Sequence, residues 1–123
     1  MRNLSIAALI AAALPGLAVA GPAQILDCAF ATECLDGDCA ASGYALTLNV
    51  TDAPDAVTAE LRDDAETAQL RGQRHGGALA LDAGTTLPAR LVSIGADGAA
   101  RYTTHLTDPV MSITYVGHCK EAA

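Results

Sequence analysis

Four cysteines constrain this chain more than any other feature. Cys28, Cys34 and Cys39 crowd into one short stretch, and Cys119 stands far along the sequence. An even set in an exported chain reads as a disulfide framework, and four cysteines permit three pairings. Side-chain direction weighs among them. With Ile25–Cys34 as a strand, Leu26, Cys28 and Phe30 share one face. With Val110–Cys119 as a strand, Met111, Ile113, Tyr115 and Cys119 share one face. Both read as core faces. Cys28 then meets Cys119 where the two ends of the domain lie together, and Cys34–Cys39 staples the turn Leu35-Asp36-Gly37-Asp38. The crossed pairing, Cys28–Cys39 with Cys34–Cys119, stays open at this level. In the chain-entropy account the long link is worth roughly 4–5 kcal/mol and the short one about 2. No Cys-x-x-Cys is present, which weighs against a redox site. His118 and Cys119 are neighbours on a strand and point to opposite faces, so they do not ligate one metal together.

Export is read from the first residues. Arg2 is a positive start, Leu4–Leu14 is an apolar run, and Ala18-Val19-Ala20 is a small-residue cleavage site. The run is too short for a membrane span and is broken by Pro15-Gly16. The sequence therefore predicts a signal peptide over 1–20 and one domain over 21–123, periplasmic or secreted, where disulfides persist. No cysteine occupies the first mature position, so no lipid anchor is expected.

A domain of this length has one core, and disulfides supplement it. Aromatics are scarce, one Phe, three Tyr and no Trp, so Ala, Leu, Val and Ile must build that core. The formal charge is -7 with Arg2 counted, and one unit more negative without it. The acid is uneven: Asp27–Glu66 holds ten carboxylates against Arg62 alone. Such a chain is a poor partner for nucleic acid or anionic membrane, and its acidic half suits a basic protein.

Alternation and turn residues set the fold class. Tyr44, Leu46, Leu48 and Val50 face one way, and Ala45, Thr47, Asn49 and Thr51 the other. Gly21–Gln24 reads as a leader, Ala40–Gly43 as a loop, and Asp52-Ala53-Pro54-Asp55 as a turn. Val57–Leu70 carries both strand alternation and helix-forming residues; we read two short strands with a turn at Asp63-Asp64. Arg71–Gly77 reads as a Gly-rich loop, Ala78–Leu81 as a strand and Asp82–Thr86 as a turn. Leu87–Ile94 and Ala99–Leu106 form a hairpin across Asp97-Gly98, a strong hairpin signal. Pro88 suits a strand start or a sheet edge. Thr107-Asp108-Pro109 turns into the last strand. The prediction is all-β: a small antiparallel barrel or sandwich of about eight short strands, stapled by disulfides. A link between first and last strands favours a closed barrel.

No complete catalytic or cofactor motif is present. Arg71, Arg74 and His75 form the one local basic cluster, a possible anion or partner contact at a hairpin tip; the ending of a phosphate-binding loop is missing. Asp36 and Asp38, with Asp27 and Glu33 near them, are acidic enough for a cation, but the spacing of a calcium loop is absent. His105 lies with Arg101 and Thr103 on a solvent face, and His118 also faces out; neither offers convergent zinc ligands. Ser42, Ser93 and Ser112 lack a nucleophile context. No cofactor or metal is expected. The candidate interaction residues are Asp36, Asp38, Arg71, Arg74 and His75.

The segments Cys28-Ala29-Phe30-Ala31-Thr32-Glu33-Cys34, Asp97-Gly98-Ala99-Ala100-Arg101-Tyr102 and Tyr115-Val116-Gly117-His118-Cys119, with Cys39, resemble small secreted bacterial proteins of unassigned function. That resemblance implies a fold and a compartment and no activity. The layout is also similar to periplasmic lysozyme inhibitors of the small β-barrel kind, acidic-faced and disulfide-linked barrels that block a cationic enzyme. This likeness is architectural, and no inhibitory residue transfers. The leading expectation is a non-enzymatic binding module for a basic protein. The alternatives are a carrier of a small apolar ligand, and an enzyme or metal-handling protein using His75, His105 or His118.

Overall fold

The computed structural model describes residues 23–122, so the export signal read over 1–20 lies outside the described residues. Eight strands follow in order: β1 (Ala23–Leu35), β2 (Asp38–Asp52), β3 (Val57–Arg62), β4 (Thr67–His75), β5 (Ala78–Asp82), β6 (Ala89–Ile94), β7 (Ala99–Thr107) and β8 (Val110–Glu121). Each pairs antiparallel with its sequence neighbour, and β1 pairs with β8, closing a barrel. The turns are built as the residue types dictate. Gly37, Gly76, Gly84 and Gly98 adopt positive φ at tight reversals. Asp63 accepts from the amides of Ala65 and Glu66, and Asp97 from that of Ala99.

Both disulfides take the favoured pairing. Cys28 is directly opposite Cys119 in the β1–β8 ladder, and Cys34 opposite Cys39 in the β1–β2 hairpin. The reading of Val57–Leu70 as two strands holds. Four local readings are corrected. Ala23 and Gln24 belong to β1, where they pair with Thr51 and Val50. Ala40–Gly43 is strand and not loop. Arg71–His75 continues β4, leaving only Gly76-Gly77 as the turn. Leu87 and Pro88 precede β6 and are not part of it.

The inner face is a continuous apolar lining. Leu48, Val50, Leu61, Leu81 and Val92 are fully buried, and Leu48 and Val50 lie on the face of β2 that the alternation sets apart. Burying one such side chain is worth about 1.5–3 kcal/mol. These side chains come from β2, β3, β5 and β6 and fill the barrel axis.

Following one row of paired residues shows the stagger. From Asp52 the row runs through Val57, Gly72, Leu81, Val92, Tyr102, Tyr115 and Glu33, and returns to β2 at Ala40. Such stagger means steeply tilted strands. It also makes the two ends unequal. At one end the β1–β2 and β7–β8 hairpins rise well past the β3–β4 and β5–β6 connections, because β2 pairs with β3 only from Thr47 onward and β7 pairs with β6 only up to His105. The result is a mouth with one tall wall and one low wall.

The opposite end is closed by polar groups. Arg74 donates to Asp52 Oδ1 at 2.9 Å and to Gln24 Oε1 at 2.8 Å. Gln24 in turn donates to Glu121 Oε1 at 2.6 Å.

Candidate functional site

All four aromatic rings of the chain meet in one layer at the mouth. Phe30 and Tyr44 come from β1 and β2, Tyr102 and Tyr115 from β7 and β8. Each occupies an inward position, and the stagger brings the four positions to one level. Tyr44 and Tyr115 stack with centroids 4.2 Å apart. Tyr102 lies 5.8 Å from Tyr115, and Phe30 lies 5.9 Å from both Tyr44 and Tyr115. Phe30 and Tyr102 are buried beneath, while Tyr44 and Tyr115 are half-buried and present their rings at the surface of the layer.

Charged groups surround these rings. The Tyr44 hydroxyl donates to Asp63 Oδ2 at 2.6 Å. Arg90, buried on the inward face of β6, donates from Nη1 to Glu66 Oε1 at 2.8 Å and to the Tyr102 hydroxyl at 2.6 Å. Burial pushes all three phenols above the ordinary tyrosine range; the Asp63 carboxylate adds to this at Tyr44, the Glu33 carboxylate adds at Tyr115, and Arg90 opposes it at Tyr102. Burial alone would raise the Asp63 carboxyl. The Tyr44 hydroxyl, the amides of Ala65 and Glu66 and the Arg90 charge outweigh it and hold that carboxyl below its usual value. The hydrogen bond to Glu66 raises the Arg90 guanidinium further, against its burial, so it is cationic at every accessible pH.

The tall wall adds an apolar face. Leu35, Leu106, Met111 and Ile113 carry the same inward parity as Tyr102 and Tyr115 but stand above the tyrosine layer. With no low-wall strand opposite them, they stay partly open, and Leu35 is 42% exposed. Glu33, Asp36, Asp38, Asp63, Asp64 and Glu66 belong to the same end. Arg90 is the one cation among the described residues turned into it, and Glu66 already engages that cation.

The candidate interaction residues from the sequence are divided by the fold. Asp36 and Asp38 lie at the tip of the β1–β2 hairpin, at the mouth. Asp36 also has a structural duty: its carboxylate accepts from the Ser112 amide at 2.8 Å, tying the tip to β8. Arg71, Arg74 and His75 belong to β4 and lie toward the other end, so they do not join the acidic pair. Nor do they act as one cluster, because Arg74 closes the lower end while Arg71 and His75 are on the outer parity. His105 and His118 are exposed on the outer face, as read. His75, Arg101 and His118 edge a shallow outer groove of about 810 Å³, floored by Ala78, Ala80, Ser93 and Ala99. Small side chains, not convergent polar groups, create that groove, so we place the site at the mouth. Among the described residues no three His, Cys, Asp or Glu side chains converge as a metal site requires.

The tyrosine layer is the part that sequence reasoning missed. Its signal was available: the chain's few aromatics all have inward parity, and Arg90 is a cation at an inward position beside Val92 and Ile94. No family model matches the chain, and no curated protein or solved structure matches it significantly.

Proposed function

We propose that this protein is an exported, non-enzymatic binding module whose mouth receives a cationic segment of a protein partner. The observation that carries this reading is the partly exposed Tyr44–Tyr115 stack set among carboxylates, where the one cation among the described residues turned into the mouth, Arg90, is already engaged. Aromatic faces attract ammonium and guanidinium groups, and neighbouring carboxylates strengthen that attraction. The open apolar shelf of Leu35, Leu106, Met111 and Ile113 suits the aliphatic stems and apolar neighbours of such a segment. The filled barrel axis supports binding at the surface over carriage inside. Two disulfides and the leader at 1–20 support a periplasmic or secreted setting.

The test is calorimetric titration with oligolysine and oligoarginine peptides. Binding should weaken as salt rises. Glu33→Gln combined with Asp64→Asn should reduce affinity about tenfold without lowering stability, since neither carboxylate anchors a turn. Equal affinity in parent and variant, or no binding by either peptide, would sink the reading.

A further inference from the structure

The barrel is closed at mid-height but not along the tall wall. There β2 keeps β1 on one side and, among the described residues, has no strand on the other: its pairing with β3 begins only at Thr47, while β2 itself starts at Asp38. Residues Asp38–Ala41 are all exposed. The direction of their backbone groups follows from the ladder. Close-spaced partners in an antiparallel pair turn their N–H and C=O groups away from each other. Cys34 and Cys39 are such a pair, with Cα atoms 4.0 Å apart. Thr32 and Ala41 are paired two residues further on and share that phase. The N–H and C=O groups of Cys39 and Ala41 therefore point to the open side.

This edge is short, begins at Asp38 and ends at an irregularity, but it carries no lysine and no proline. Natural edges are blunted by lysine, proline or a covering element. Here Cys39-Ala40-Ala41-Ser42-Gly43 offers small, uncharged side chains, and the nearby irregularity at Ser42–Gly43 lies past the regular stretch. The edge is also held rigid. The Cys34–Cys39 link crosses the hairpin, and the tip is bound to β8 by Asp36 N–H to Ser112 O at 3.0 Å and Ser112 N–H to Asp36 Oδ1 at 2.8 Å. A rigid, unpaired edge loses little freedom when a strand is added. At its lower end, where β2 and β3 part, Ala45, Thr47, Arg62, Asp63 and Asp64 line a notch of about 430 Å³.

We infer that the open edge of β2 at Asp38–Ala41 accepts an extended, cation-bearing strand of a partner protein, so that the partner's main chain pairs with β2 while its basic side chains reach the mouth and the Asp63-Asp64 notch. The inference rests on the proposed cationic partner and adds the mode of recognition. Charge selects the occupant. Asp36, Asp38, Asp63 and Asp64 flank the edge, and a second copy of this acidic chain would bring the same carboxylates against them.

The experiment uses a ten-residue peptide of alternating lysine and valine as the probe, with the intact, oxidised protein. Amide exchange at Cys39 and Ala41 is followed with and without the peptide, and affinity is measured for the parent and for Ala41→Pro. Proline removes an outward N–H and leaves the bonds to β1 in place. The expected result is slowing of exchange at Cys39 and Ala41 and a loss of affinity of about tenfold in A41P, the scale of one main-chain hydrogen bond. Should A41P misfold, the exchange pattern of the parent still decides. Peptide binding that depends on Glu33 and Asp64 but leaves both amides and A41P unaffected would overturn strand addition and keep the mouth reading. No binding at all would overturn both. Concentration-dependent dimerisation that protects the same amides and is lost in A41P would replace the partner with a second copy.

Discussion

Tyr44 shows how one side chain serves both the packing and the polar side of the mouth. Its ring stacks on Tyr115, and its hydroxyl donates to Asp63, which in turn holds the β3–β4 turn. The two groups give opposite pH dependences. Tyr44 is held neutral in the fold, so its contribution is complete below the ordinary tyrosine value of about 10 and fades as pH rises above it. Asp63 is held ionised, so its contribution is complete above about 4 and is lost as pH falls through its lowered value. Tyr44→Phe should cost about 1–2 kcal/mol at neutral pH, by loss of a hydrogen bond to a carboxylate. The variant should also lose less further stability than the parent at both pH extremes. Urea unfolding at roughly pH 3, 7 and 11 checks this, and parallel losses in parent and variant would contradict it. Arg90 is the residue whose role was least legible in advance. A cation at an inward position looks like an error in the strand reading until Glu66 and the Tyr102 hydroxyl are seen to satisfy it.

Among the elements, the β1–β2 hairpin is the most distinctive. Its upper part has one wall of neighbours, so its order depends on the Cys34–Cys39 link and on Asp36. Replacing both Cys34 and Cys39 with Ser should lower global stability by about 2 kcal/mol or less, because the closed loop is short. Amide exchange should accelerate at Asp36, Asp38 and Ala40, whose N–H groups are bonded to β8 or β1, and remain unchanged at Leu48 and Leu61. Equal acceleration throughout the barrel would show that the hairpin is not a separable unit. The same hairpin explains where the sequence was readable. Tyr44–Val50 alternates cleanly because one face meets the core and the other meets water. Ala40–Gly43 stands above the core and carries no such contrast, so it resembled a loop. Arg71–His75 was hidden for another reason: its inward positions are Gly72, where a Cβ would overlap the Ala80 carbonyl oxygen, and Arg74, which closes the lower end. Cys28–Cys119 was legible because both residues lie on strand faces read as core, and Cys34–Cys39 because the two flank a short Asp-Gly turn. The mouth was not, since it joins residues from both ends of the sequence, and only the stagger brings them level.

For the whole molecule, closure requires close strand approach at particular points. At Gly117 a Cβ would overlap the carbonyl oxygen of Ala29, beside the irregularity in β1 between Phe30 and Thr32. Gly117→Ala should therefore destabilise the barrel by about 1–3 kcal/mol, through displaced backbone at the β1–β8 seam. Thermal unfolding of G117A against Gly43→Ala, where a Cβ meets nothing within 4 Å, separates crowding from the general effect of replacing glycine. The seam has one more consequence. Leu26 pairs with Glu121, and the Ala122 amide donates to the Ile25 carbonyl at 2.9 Å, so the first and last strands finish side by side. Since every other pairing joins sequence neighbours, the order of strands around the barrel has no intrinsic beginning. A circular permutant that joins Ala122 to Ala23 through a short flexible linker and opens the chain at Gly76-Gly77 should keep the same architecture, turning the Cys28–Cys119 link from the longest-range cross-link in the molecule into a local one.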